Sequence, residues 1–241
     1  VAGGCFIGRL CDSLPCYHLL GIIMSSDFFS VSFETLPPTL PLFPLADAIV
    51  MPGCQLPLNV FEPRYLDLVV DTLKEERLIG MVQPDTSSGE DALYRTGTAG
   101  RIVCFNELPD RRLFIILGGV CRFDIVAELP AERRYRQAMV SWSRFRQDIE
   151  GETSEDSAER ERFMLLLRAY SKRHGFKTDW SEVEDMPLFM LVNALAGQLP
   201  LDALEKQSLV EAVSQQERVS RFIDLLAFEV SGLSLTPDTR H

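Results

Sequence analysis

Lys206 and Ser208 stand two residues apart, and a lysine beside a serine is one pairing from which hydrolases build a base and a nucleophile. Such a pair works only through geometry and surroundings, not proximity, so these two are not expected to be catalytic. The three histidines, His18, His174 and His241, fall near the start, at a helix end and at the last residue. No serine–histidine–aspartate arrangement is expected on any of them. Glu155, Asp156 and Glu159 offer paired carboxylates, but a helix start favours acids for dipole reasons alone. The cysteines form no C-x-x-C pair and have no histidine at ligand spacing, so neither a metal nor another cofactor is expected. Cys54, Cys104 and Cys121 lie singly in apolar contexts and read as reduced, buried thiols. No G-x-x-x-x-G-K-[ST] loop is present to cradle nucleotide phosphates. The residues left are of types that recognise: Phe61, Glu62, Arg64 and Tyr65 in one short run, and Arg122 beside Phe123. Aromatic and arginine side chains commonly anchor a partner. The competing structural reading makes Glu62 a helix-start acceptor, Arg64 its ionic or backbone-bonding neighbour, Tyr65 a core ring and Arg122 a strand position beside a glycine pair.

The elements that must position these residues follow from periodicity. Pro41, Pro44, Pro52 and Pro57 cannot donate to a ladder and belong at edges, turns or strand starts. Ala48 to Met51 is a short apolar run that reads as a strand, closed by the Pro52-Gly53 turn, and Leu56, Leu58 and Val60 alternate as a second, half-buried strand. Pro63 opens a helix over Arg64 to Glu76 with Tyr65, Leu68, Val69 and Leu73 on one face. Strands are expected over Leu78–Gln83, Thr98–Leu108, Leu113–Leu117, Cys121–Ala127 and Gln137–Phe145, with a bulge or close backbone approach at Gly118-Gly119. Short strands at this spacing suggest a small barrel. Gln147 to Ser157 reads as an acidic linker. Helices then follow over Ala158–His174 and Pro187–Ala196, from capping boxes at Asp179/Glu182 and Asp202/Glu205, and over Gln215–Val230.

Leu42-Phe43-Pro44-Leu45, Pro52-Gly53, Leu56-Pro57-Leu58 and Phe61-Glu62-Pro63-Arg64-Tyr65 occur in that order. Gly97-Thr98-Ala99-Gly100-Arg101-Ile102, Leu108-Pro109-Asp110-Arg111-Arg112 and Gly118-Gly119 before Arg122-Phe123 follow. Together they resemble the amino-terminal, substrate-binding domain of the ATP-dependent Lon proteases, from about Leu40 to the carboxyl end. The resemblance implies an α+β fold: a PUA-like small β-barrel with one or more helices, followed by an α-helical bundle. It also implies a non-catalytic module that recognises unfolded or extended polypeptide in protein quality control, in a stand-alone form without the ATPase and protease modules. Phe61, Glu62, Arg64, Tyr65 and Arg122 become peptide-binding candidates, and a protease or ATPase becomes a further partner. The alternatives are an adaptor or regulator docking through the helical half, and a PUA-like module for RNA or a small ligand.

Composition narrows these classes. Thirty-five acidic against 24 basic residues give a net charge of −11, which opposes sequence-independent nucleic-acid binding. The local basic run Arg133, Arg134, Arg136, Arg144, Arg146 is read as a solvated strand face. Residues 1–39 form a leader, expected to be disordered and in part an over-long gene start before Met24; its apolar run is too short to span a bilayer. A barrel domain over 40–147, a helical subdomain over 148–241, no membrane and a cytoplasmic location complete the expectation.

Overall fold

The structure, a computed structural model, describes residues 31–130, 132–151, 156–176 and 178–231. Its elements in order are β1 (Thr39–Pro44), β2 (Gln55–Val60), α1 (Pro63–Thr72), β3 (Leu78–Val82), β4 (Thr96–Glu107), β5 (Leu113–Glu128), β6 (Gln137–Ser141), α2 (Gln147–Glu150), α3 (Ser157–His174), α4 (Trp180–Asp185), α5 (Leu188–Gln198), α6 (Ala203–Glu211) and α7 (Gln215–Ser231). Most of the expected leader, residues 1–30, lies outside the described residues. From Ser32 onward the chain is held on the sheet: Phe33 lies under the Arg146 guanidinium at 4.1 Å, and the Trp142 indole donates to the Pro37 carbonyl at 2.9 Å.

The strands run β2-β5-β4-β3-β1-β6, and β5 also pairs with β6, so the pairings close into a circuit from which β2 projects as an extra strand. Among the described strands only β1 and β3 pair in parallel. β3 is buried at every position, which suits its central place. Pro41 sits where β1 changes partner, pairing with Gln137 just before Leu42 takes up Gly80. The missing N–H of a proline costs least at such a handover. The α+β class expected from the sequence is found.

Four local expectations are corrected. Leu113 to Glu128 is one long strand, not two. The interruption read from Gly118-Gly119 is a bulge within it: Ala99 faces Cys121 and Gly100 faces Gly119, leaving Val120 as the extra residue. A Cβ on Gly119 would overlap the Met51 carbonyl, so the close approach is real as well. Ala48 to Met51 is not a strand but a buried connection from β1 to β2 that lies between the sheet and helical cores. The last strand stops at Ser141, where Trp142 and Phe145 turn inward on a 3-10 turn. α1 ends at Thr72, after which the bonds tighten, Lys74 N–H to the Asp71 carbonyl and Glu75 N–H to the Thr72 carbonyl, and Arg77, at a left-handed φ of 62°, turns the chain toward β3.

Apolar side chains collect on both sides of the connection. Ile49, Met51 and Cys54 join Phe163, Leu191, Leu209 and Phe222 in the helical core, while Val50 joins Leu58, Leu68, Ile79 and Ile115 in the sheet core. A further cluster around Leu42, Cys121, Phe123 and Trp142 fills the remainder of the circuit. α3 and α7 pack through Phe163 and Phe222, whose rings lie 5.9 Å apart.

Candidate functional site

β2 delivers the chain to α1, and the candidate run sits at that junction. Phe61 follows the last residue of β2 and is 59% exposed. Glu62 is the N-cap of α1, yet its carboxylate does not cap the helix; it takes the Arg64 guanidinium at 2.9 Å instead. The structural role read for Glu62 is therefore corrected, because a nearby cation outcompetes a backbone N–H for an exposed carboxylate. Arg64 spreads over the Tyr65 ring, 4.6 Å from its centroid. Tyr65 turns inward, stacks on Phe43 at 4.2 Å and donates its hydroxyl to the Pro44 carbonyl at 3.4 Å. Burial raises its phenol above the usual range. The junction thus presents one aromatic ring and one ion pair to solvent over a fixed aromatic base.

Arg122 is not part of this surface. It is 1% exposed and lies in the seam between sheet and helices, 26 residues from its partner Asp148. Its guanidinium donates to both Asp148 oxygens at 2.8 Å, to the Val210 carbonyl at 3.0 Å and to the Ala212 carbonyl. Arg218 lies against the same carboxylate at 3.9 Å and donates to the Asn193 side-chain oxygen at 2.7 Å. Burial first, and the Arg122 charge second, push Arg218 down to about 9. Asn193 in turn donates to the Pro52 carbonyl, Lys206 reaches the Asp47 carbonyl, and Gln207 donates to the Thr96 carbonyl. The seam is polar and closed by specific bonds. The expected linker thus includes α2, drawn into the seam by Asp148.

The residues considered for catalysis are placed apart. Lys206 points to Asp47, whereas Ser208 donates to the Glu205 carbonyl of its own helix at 2.7 Å. His174 stacks on Tyr170 at 4.3 Å. No cluster of metal-ligating side chains occurs among the described residues. Cys54 and Cys121 are buried, and burial pushes Cys54 up to about 12 and Cys121 higher. Cys104 is exposed, contrary to expectation, because a register shift in β4 turns it to the outer face. Each arginine of the basic run meets an acid: Arg133 on Asp71, Arg134 on Asp67, Arg136 on Glu128, Arg144 on Asp124 and Arg146 on Glu150. No described helix is long and apolar enough to cross a membrane.

Two features were not read from the sequence. Asp148 and Arg218 give no local signal, since the pairing is made across the seam. The open side of β2, which among the described strands pairs with β5 alone, was signalled by Pro57.

Comparison with known proteins gives the same fold. A Lon N-terminal domain protein from Xanthomonas campestris superposes with a TM-score of 0.59 at 25% identity, covering 79% of this chain and 98% of that one. The N-terminal domain of Mycobacterium avium complex Lon protease superposes with a TM-score of 0.57 at 17% identity, over 78% of this chain and 98% of that one. In sequence, Lon protease 2 of Myxococcus xanthus is 26% identical over 208 residues, 81% of this chain and 24% of its own length. Lon protease of Dictyoglomus thermophilum is 27% identical over 218 residues, 84% of this chain and 26% of its own. The chain therefore spans about a quarter of the length of the curated relatives it matches. The model of the ATP-dependent protease La (LON) substrate-binding domain matches residues 39–227, and the chain belongs to that family.

Proposed function

We propose that this chain recognises unfolded or extended polypeptide without hydrolysing it, in the service of protein quality control. The observation that carries the reading is membership of a substrate-binding family combined with a sheet whose β2 side is open and ends at the exposed ring of Phe61. Phe61, Glu62 and Arg64 form the rim of the site, and Tyr65 fixes its base. Arg122 supports the site by holding the helices to β5. Hydrolysis of a bound client would fall to a protease partner, and its ATP-driven unfolding to an ATPase. The pairing of the basic run with acids argues against RNA as the ligand, since phosphate contact needs unpaired cations. Free thiols at Cys54, Cys104 and Cys121 suit a reducing, cytoplasmic setting.

A second reading, docking of the helical half on another protein, is favoured by Leu165 and Leu204, which are 71% and 67% exposed on α3 and α6. Anisotropy of a fluorescently labelled, permanently unfolded polypeptide separates the two. Saturable binding that a folded control lacks supports recognition. Absence of binding up to high micromolar protein sinks it and leaves the docking reading.

A further inference from the structure

β2 bonds along one side, and a single bond sets its phase. The Gly119 N–H donates to the Cys54 carbonyl at 2.8 Å, next to the Gln55–Gly118 rung. In an antiparallel ladder this makes Leu56, Leu58 and Val60 the positions that bond to β5. Gln55, Pro57 and Asn59 then turn their main-chain groups away from it. Pro57 agrees with this phase, because a strand tolerates proline where no ladder bond is donated. The outward row reads N–H and C=O at Gln55, C=O at Pro57, and N–H and C=O at Asn59. None of these groups is bonded by a described residue. Across the outer face, Pro57 continues into Ile116 and Cys104, and Asn59 into Phe114. These positions are partly or fully exposed, so an apolar strip borders the open side.

We propose that a client binds here as an added strand: an extended, proline-poor segment of apolar and basic residues. It pairs its main chain with Gln55 and Asn59 and lays alternate side chains over the Pro57–Ile116 strip toward Phe61. The inference rests on the polypeptide-recognition reading and names its site. The occupant follows from the chemistry of the row. Unpaired N–H and C=O groups in one extended line are complemented by another extended main chain, whereas a helix has already used its own. The net charge of −11 favours segments carrying lysine or arginine over acidic ones. Pro57 removes the central donor, which weakens pairing with a second copy of the same edge.

The test uses the full chain and the labelled unfolded polypeptide. Asn59→Pro places a ring in the outward phase that Pro57 already occupies, so the ladder to β5 stays intact while an outward donor is lost. Binding should weaken about tenfold, the equivalent of one good hydrogen bond. Pro57→Val restores the third donor and should tighten binding several-fold. In the unsubstituted protein, amide hydrogen exchange should show Gln55 and Asn59 gaining protection on saturation, with Leu56 and Leu58 unchanged. Should Asn59→Pro fail to fold, the exchange result decides alone. Unchanged affinity in both folded variants, with unchanged exchange at Gln55 and Asn59, overturns the edge and leaves the recognition reading standing. Failure of the unsubstituted protein to bind any polypeptide overturns both. Protection at Gln55 and Asn59 that grows with protein concentration alone assigns the edge to a second copy and overturns the client.

Discussion

Two arginines share one carboxylate in a space that water does not reach. Arg122, Arg218 and Asp148 are each almost fully buried, so the set carries a net positive charge inside the seam. Removing the acid would leave two cations facing each other. Asp148→Asn is therefore expected to cost about 3–5 kcal/mol, the range for breaking a buried pair from one side. Arg218→Met leaves the neutral Arg122–Asp148 pair and should cost distinctly less, as urea midpoints of the two variants will show. Cys54 gives a pH signature of opposite origin. Its thiol is raised from 9.0 to about 12, so the folded state holds a proton that the unfolded chain releases first. Its contribution is complete below pH 9 and is lost as the pH rises toward 12. Cys54→Ala should flatten the alkaline fall of the thermal midpoint. Alkylation mapped by peptide mass should label Cys104 well before Cys54 or Cys121.

Helix ends show what the sequence makes legible. At α6 the reciprocal box is complete: the Asp202 carboxylate accepts from the Glu205 N–H and the Glu205 carboxylate from the Asp202 N–H, both at 2.8 Å. Asp202→Ala should cost about 1 kcal/mol, seen as a drop of about 2–4 °C in the thermal midpoint. That box, the Gly175 stop of α3 at φ 71° and the apolar face of α1 were all readable, because each depends on residues within a turn or two. The bulge in β5 was readable from its glycines. Its continuity as one strand was not, since β5 changes partners along its length and only the pairing shows that both stretches share an axis. Ala48 to Met51 misled for a related reason. Full burial on two sides produces the same apolar run as a central strand, and periodicity does not tell them apart. Of the candidate site, Phe61, Glu62, Arg64 and Tyr65 are local and were found together. Arg122 was separated from them only by its buried partners 26 and about 90 residues away.

At the scale of the molecule, the sheet and the helices are held together by the polar seam and by the β1–β2 connection packed between their cores. We propose a division of the chain into a barrel-type domain over 40–147 and a helical subdomain over 148–241, one of secondary-structure type. Ile49 and Met51 face the helical core, and Val50 between them faces the sheet core. Neighbours on one backbone cannot part company, so neither core can loosen while the other stays shut. The chain is expected to melt in a single calorimetric transition, with van't Hoff and calorimetric enthalpies in agreement. Two resolved peaks would show the connection to be slack. If the halves do melt together, a client seated on β2 would raise the melting temperature of helices it never touches.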